Sequence, residues 1–173
     1  YYLYIYFAQY INFLITLTIL YKKKGDFIMS KNKKRNLDLV DNGPSPFVTN
    51  IKEDAIANKN FRTTLWTGEY LQLTLMSIKE KGEIGLERHD DFDQFLRIEE
   101  GEGVVFIGDD KDDFQVKEKI SRNSAIFVPA GKWHNLINTG KNSLKFYSIY
   151  APPAHPAGTV HKTKEDSDNA HNH

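Results

Sequence analysis

Pro129-Ala-Gly-Lys-Trp-His134-Asn-Leu-Ile-Asn138 is the most informative stretch of the chain, because it joins a turn to the extended run that follows it. Proline presets the backbone of a turn, and the glycine two residues later tolerates conformations that other residues avoid. The turn delivers His134 at the start of a strand, where neighbouring side chains face opposite sides. We therefore predict that His134 projects into the interior and that Trp133 points away from it.

A second polar segment lies earlier in the chain: Gly85-Leu-Glu-Arg-His-Asp-Asp-Phe-Asp-Gln-Phe-Leu-Arg-Ile-Glu-Glu-Gly101. Residues two apart on an extended chain share a face, so Glu87 and His89 project together. A turn through residues 90–93 can return Gln94 to the same place. The segment thus predicts that three polar side chains converge.

Short segments with β character follow Pro44 and Pro46, separated by turns rich in glycine, asparagine and aspartate. Alternation is plain in Leu71-Gln-Leu-Thr-Leu-Met76, as in a strand with one buried face. Many short strands with regular turns indicate an all-β sandwich or barrel. We predict one short helix over Ile51–Asn58 and strands over Phe47–Ile51, Phe61–Thr67, Leu71–Ile78, Phe95–Glu99, Val104–Ile107, Gln115–Ile120, Ala125–Val128, Trp133–Asn138 and Leu144–Tyr150.

The two polar segments resemble the two motifs of the cupin superfamily. The second cupin motif has the form G-x5-P-x-G-x2-H-x3-N. Its last four defined positions match Pro129, Gly131, His134 and Asn138, whereas Asn123 stands where the first glycine usually is.

The first cupin motif, G-x5-H-x-H-x3,4-E-x6-G, is matched in part. His89 falls on its second histidine and Gly101 on its closing glycine. Glu87 occupies the place of the first histidine, and Gln94 occupies that of the glutamate. The usual three imidazoles and one carboxylate become two imidazoles, one carboxylate and one amide oxygen.

This resemblance implies a cupin double-stranded β-helix, which is a jelly-roll barrel, over residues 44–164. A short helix would precede the barrel and a proline-rich segment would follow its last strand. The chain is similar to small single-domain bacterial cupins that are loosely labelled mannose-6-phosphate isomerase-like.

The resemblance also implies a metal site. One divalent transition metal, manganese, iron, nickel or zinc, would bind Glu87, His89, Gln94 and His134, because mixed nitrogen and oxygen donors accept all four. Glutamine is a weak ligand, so the alternative is a metal-free pocket that binds a small polar ligand through hydrogen bonds. The proline-rich segment can fold over the barrel mouth, which makes His155 and His161 candidate ligand-binding residues.

Two functions remain open from the sequence. The first is a metal-dependent, isomerase-like enzyme that acts on a small polar, sugar-like substrate. Such a reaction needs a general base, and no residue identifies itself as one. The second is a non-catalytic cupin module that captures a small ligand.

Composition narrows the classes of function. The chain has no cysteine, which excludes disulfides, thiol catalysis and thiolate metal sites. Its 23 basic residues balance its 23 acidic ones, and no helix-turn-helix pattern is present. We expect no nucleic-acid partner.

The segment Tyr1–Tyr21 contains no charged residue and has the length of a membrane span. Met29 is the first methionine, and Lys24-Gly-Asp26 can be encoded by a purine-rich ribosome-binding sequence. We therefore interpret residues 1–28 as translated leader, with an N-terminal anchor as the alternative. In that alternative, the three lysines that follow would keep the cupin domain on the cytoplasmic side.

The remaining expectations concern the ends of the domain and its assembly. Residues 29–43 are polar and predicted to be flexible, and residues 165–173 are predicted to be a disordered tail. We expect a cytoplasmic protein. Cupin barrels commonly pair through an edge strand, so we also expect a homodimer formed near Phe47 and residues 61–78.

Overall fold

Ten strands and two short helices make up residues 40–171, the part of the chain that the computed structural model describes. The helices are α1 (Ile51–Ala57) and α2 (Lys164–His171). The strands are β1 (Arg62–Thr67), β2 (Gln72–Ile78), β3 (Glu87–Arg88), β4 (Asp93–Glu100), β5 (Glu102–Gly108), β6 (Val116–Ser121), β7 (Ala125–Val128), β8 (Trp133–Asn138), β9 (Leu144–Ala151) and β10 (Val160–His161).

The strands form two antiparallel sheets. One has six strands in the order β10-β1-β2-β9-β4-β7, and the other has four in the order β3-β8-β5-β6. Strands that are distant in sequence lie side by side, as β2 and β9 do, which is how a jelly roll closes on itself. The predicted all-β jelly-roll fold is confirmed.

Alternate residues of the strands fill the barrel interior. Met76, Phe146 and Ile98 pair across three neighbouring strands, and all three are buried there. Because side chains alternate between faces, the residues between them lie on the outside of the six-stranded sheet. The interior cluster comprises Phe61, Met76, Ile78, Ile84, Leu96, Ile98, Val105, Ile120, Ile126, Val128, Leu136, Leu144 and Phe146.

Helix α1 covers part of that outer face. Ala55 packs against Leu65, Leu75 and Tyr147, which gives the fold a second apolar cluster. The predicted helix over Ile51–Asn58 is confirmed. The strand predicted over Phe47–Ile51 is wrong, because the side chain of Asn50 caps the helix and the backbone enters its first turn at Ile51.

Four turn residues have left-handed backbones at positions where the cupin motifs carry glycine, and one of them is Gly101, with φ 91°. Gly131 has φ 80°, as its turn requires. Asn123 has φ 74°, and asparagine is the residue that best tolerates this region after glycine. Lys81, with φ 59°, stands in place of the first glycine of the first motif, so the backbone keeps the glycine-like conformation although the residue differs.

Asn138 closes the second motif as a structural residue. Its Nδ2 donates to the carbonyls of Ile78 and Asn142, both at 2.9 Å, and its Oδ1 accepts from the Gly140 amide at 2.9 Å. The side chain is 1% exposed. It therefore satisfies loop backbone groups rather than reaching the polar cluster described below.

The predicted disordered tail is wrong over the described residues, because α2 begins at Lys164. Thr163 and Asp166 form a capping box: the Asp166 amide donates to Thr163 Oγ1 at 3.2 Å, and the Thr163 amide donates to Asp166 Oδ2 at 2.9 Å. Arg62 then holds the helix to the barrel through Ser167 Oγ at 2.7 Å.

The prediction of a flexible segment over residues 29–43 is wrong at residues 40–43, which pack on β1. Asp41 accepts four hydrogen bonds, from the amides of Gly43, Thr67 and Gly158 and from Thr67 Oγ1, at 2.6 to 2.9 Å. Residues 1–39, with the leader or anchor interpretation, lie outside the described residues. No helix in residues 40–171 is long and apolar enough to cross a membrane.

Replacing Asp41 with asparagine is expected to destabilise the fold by about 2 kcal/mol at neutral pH, because the amide turns a donor toward other donors. Burial raises the pKa of the Asp41 carboxyl, but its hydrogen bonds outweigh burial and hold the pKa below its usual range. The stabilisation is therefore complete above the unfolded-state pKa, about 4, and disappears as the pH falls through the folded-state pKa.

Urea unfolding at neutral and acidic pH, with the exposed Asp112→Asn change as control, measures this effect. A difference between wild type and Asp41→Asn that does not shrink in acid would contradict it.

Candidate metal centre

The two polar segments meet where β3 and β8 pair. Glu87 lies directly opposite His134 in this antiparallel ladder, so their side chains are close neighbours on one face. The turn before β8 is fixed to the chain beyond β3, because the Gly131 amide donates to the carbonyl of His89 at 2.7 Å. Strand pairing and this turn together bring His89 and His134 to one place.

Glu87 is at the centre of the cluster. Its Oε1 lies 3.3 Å from His134 Nε2 and 3.4 Å from His89 Nε2. One donor atom from each of the three residues lies within 4.8 Å of the other two. The predicted convergence of Glu87, His89 and His134 is therefore present in the structure.

Gln94 joins the cluster from β4. Its Oε1 lies 3.0 Å from His134 Nε2, while its Nε2 donates to Tyr150 Oη at 3.2 Å and weakly to Ser148 Oγ at 3.4 Å. These two hydroxyl groups hold the amide so that its oxygen, rather than its nitrogen, faces His134. All four sequence-predicted site residues thus lie together.

The hydrogen bonds of His134 determine which of its nitrogens is available. Nδ1 lies 3.1 Å from the carbonyl of Lys132, an oxygen that can only accept, so Nδ1 carries a proton. In the neutral ring, Nε2 then has a free lone pair. That lone pair faces the oxygens of Gln94 and Glu87, which also bear lone pairs, so a cation between them would relieve the repulsion.

Glu87 is anionic at neutral pH. Burial raises the pKa of its carboxyl, but the adjacent imidazoles of His134 and His89, in their protonated forms, outweigh burial and hold the pKa well below its usual range. The cluster therefore supplies one negative charge and two imidazoles.

These residues fit a divalent transition metal. Two imidazole nitrogens and one carboxylate are the ligand set of non-haem iron sites with open positions, and zinc, manganese and nickel accept the same donors. His89 Nε2 is buried, and its 3.4 Å contact with Glu87 Oε1 lacks hydrogen-bond geometry, as expected of an atom that serves as a ligand. His89 is oriented by stacking on Phe92, with ring centroids 4.5 Å apart.

A cavity of about 890 Å³ gives access to the cluster. Glu87 and His89 line it from β3 and the following turn, and Lys164 and Ser167 of α2 line its other side. A small molecule that enters this cavity meets two of the proposed ligands directly. Trp133 pairs with Arg88 and directly precedes the buried His134 on β8, so the two side chains face opposite sides of the strand, as predicted.

The two candidate ligand-binding histidines lie in different places. The backbone of His155 is held by the side-chain amide of Gln72, and its ring lies 5.2 Å from that of Tyr150. The proline-rich segment thus folds back toward the site, as expected. His161 pairs with Arg62 at the edge of the six-stranded sheet and is not in the cluster of described metal-type ligands. Ligand binding by either histidine stays a prediction.

Sequence reasoning missed Tyr150, Ser148 and Phe92. Tyr150 and Ser148 alternate with the buried Phe146 on β9, so their polar groups face the interior. The period-two pattern could have placed them there, but the pairing of β9 with β4 was needed to put them beside Gln94.

Two relatives resemble this chain over most of its length. It is 54% identical over 144 residues to the uncharacterized protein YrkC of Bacillus subtilis (strain 168), which covers 83% of this chain and 77% of that protein. It is 37% identical over 123 residues to the uncharacterized protein L612 of Acanthamoeba polyphaga mimivirus, which covers 70% of this chain and 75% of that one.

Solved structures share the fold. The crystal structure of BH2720 from Bacillus halodurans is 52% identical, with a TM-score of 0.74 over 75% of this chain and 98% of that one. The structure of TT1209 from Thermus thermophilus is 20% identical, with a TM-score of 0.52 over 61% of this chain and 96% of that one, which shows a similar fold alone. Residues 74–150 match the family model for the cupin domain, and with these relatives the match shows that the chain belongs to the cupin family.

Proposed function

We propose that this cupin binds one divalent transition metal through Glu87, His89 and His134, with the Gln94 amide oxygen as a fourth, weaker donor. The supporting observation is that lone pairs converge: His134 Nε2, with Nδ1 protonated, faces Gln94 Oε1 at 3.0 Å and Glu87 Oε1 at 3.3 Å. Without a cation the acceptors repel one another.

The proposal extends to a metal-dependent enzyme for a small polar substrate. A bound divalent metal supplies Lewis-acid polarisation of a substrate oxygen. The chain's own residues orient the ligands: Lys132 fixes the ring of His134, Phe92 supports His89, and Tyr150 fixes the amide of Gln94. Isomerisation of a sugar-like substrate stays a prediction from the resemblance.

Metal analysis tests the proposal. We expect untagged protein to contain about one divalent metal per chain, with His171→Gln and His173→Gln introduced to remove adventitious ligands. Chelation should lower the melting temperature, since metal at about 100 times its Kd stabilises a fold by about 2.7 kcal/mol. Readdition of manganese, iron, nickel and zinc, each alone, identifies which ion restores stability.

The alternative is a metal-free pocket in which His134 is doubly protonated and donates to both oxygens. That alternative predicts no metal in the purified protein and a melting temperature that chelation leaves unchanged. This result would overturn the proposed metal site.

A further inference from the structure

Arg62 lies inside the barrel as a buried positive charge. It pairs with Met76 across β1 and β2, and Met76 belongs to the interior cluster, so Arg62 faces the interior too. Its side chain is 2% exposed. Removing a charge from water costs several kcal/mol unless an opposite charge compensates, so a buried guanidinium is expected to have an anionic partner.

The described residues do not supply that partner. Nη1 donates to Ser167 Oγ at 2.7 Å, Nε is buried without an acceptor, and the group lies 5.6 Å from the centre of the Phe61 ring. Within residues 40–171 no carboxylate forms an ion pair with Arg62. One neutral acceptor leaves most of the guanidinium's hydrogen-bonding capacity unused.

Ser167 connects Arg62 to the cavity of the candidate metal centre, because it lines that cavity opposite Glu87 and His89. Most of the other charged side chains in the cavity wall already have partners: Arg88 with Asp90 at 2.7 Å, Lys164 with Asp168 at 2.8 Å, and Glu83 with Asn135 at 2.7 Å. Of Arg62, Arg88 and Lys164, Arg62 is therefore the one that has no ion-pair partner in the described residues, and it reaches the cavity wall through Ser167.

We infer that Arg62 recognises a carboxylate on the substrate, which enters the cavity beside Ser167 while the remainder of the molecule extends toward Glu87 and His89. The inference rests on the proposed function, because the other end of the substrate is taken to bind the metal at Glu87 and His89. A guanidinium matches a carboxylate through two parallel hydrogen bonds. A phosphate dianion usually requires further free cations or an uncapped helix N-terminus, whereas Lys164 and Arg88 are already paired and the start of α2 is capped by Thr163 and Asp166.

Arginine side-chain NMR of the full chain tests the inference, with sodium glycolate as probe. Inorganic phosphate and uncharged ethylene glycol serve as comparisons at constant ionic strength. The Nε–H signal of Arg62, assigned by its loss in Arg62→Met, should shift saturably with glycolate and stay in place with ethylene glycol. Zinc-loaded and metal-free protein are both titrated with glycolate. Failure of the proposed metal site can then be distinguished from failure of carboxylate binding at Arg62.

Arg62→Met should weaken glycolate binding at least about tenfold. The affinity is measured from the rise in melting temperature that glycolate causes. The variant should keep the wild-type metal content, and its melting temperature is not the deciding quantity, because removal of an unpaired buried charge and loss of the hydrogen bond to Ser167 act in opposite directions. If Arg62 were merely structural, the variant would instead bind glycolate as tightly as wild type. If Arg62→Met does not fold, Arg62→Lys decides: about tenfold weaker binding supports the inference, and wild-type affinity overturns it. Tighter binding of phosphate than of glycolate also overturns it.

Discussion

His134→Ala protein is expected to contain no stoichiometric divalent metal. Removal of this imidazole takes away the donor whose Nε2 faces both Glu87 and Gln94, and loss of a ligand should weaken metal binding by at least about 100-fold, since even outer-shell changes cost up to that much. Metal analysis after dialysis, with circular dichroism to verify folding, measures the result.

The matched control is His155→Ala. This imidazole lies near the same site, against Tyr150, but it is not in the cluster. His155→Ala should retain one metal per chain. His134 is buried, so its replacement by alanine creates a small cavity that could itself affect folding. Glu87 is only partly buried, so Glu87→Gln provides a second test, and this variant should also lose metal. Wild-type affinity in both folded variants would contradict the ligand assignment.

Gln94→Glu is expected to tighten metal binding by about tenfold or more, because it replaces a neutral amide oxygen by an anionic one at the same length. The hydroxyls of Tyr150 and Ser148, which now accept from Gln94, can rotate and donate to the new carboxylate. Without metal, this carboxylate would repel Glu87. The metal-free variant should therefore melt at a lower temperature than wild type, while the metal-loaded variant melts at a higher one.

Calorimetric titration of metal and paired melting curves, with and without a chelator, test this second prediction. Gln115→Glu, a substitution at an exposed residue of the β5–β6 hairpin loop, adds the same charge away from the site and should leave the metal affinity unchanged. Gln94→Glu protein that binds metal no more tightly than wild type would show that residue 94 is not a ligand.

The strands and the site residues could be predicted because their signals are local. Alternation in Leu71–Met76 marks a strand by itself, and the spacing from Pro129 to His134 fixes a turn and the residue that it delivers. Glu87 and His89 share a face on any extended chain. Such patterns need no knowledge of which strands are neighbours.

The remainder depends on contacts between distant residues. Asp41 is held by hydrogen bonds from Thr67 and Gly158, which are distant in sequence. The polar sequence around Asp41 does not reveal these contacts. The C-terminal helix is held by a capping box and by Arg62. The sequence displays the capping-box residues Thr163 and Asp166, but it does not show that Arg62 contacts this helix. Arg62 and Tyr150 are polar residues on buried faces, and only the pairing of strands reveals what they face.

Homodimer formation, a cytoplasmic location and the absence of a nucleic-acid partner stay predictions. They concern surfaces and segments on which the geometry of the described site does not bear.

The most direct test of the central claim is an anomalous difference map from a crystal of the metal-loaded protein, recorded on both sides of the absorption edge of the metal that restores stability. The proposed function predicts one strong peak within coordination distance of Glu87 Oε1, His89 Nε2 and His134 Nε2, with Gln94 Oε1 turned toward it. Density at the three side chains with no anomalous peak between them, or a peak only at the C-terminal histidines, would contradict it.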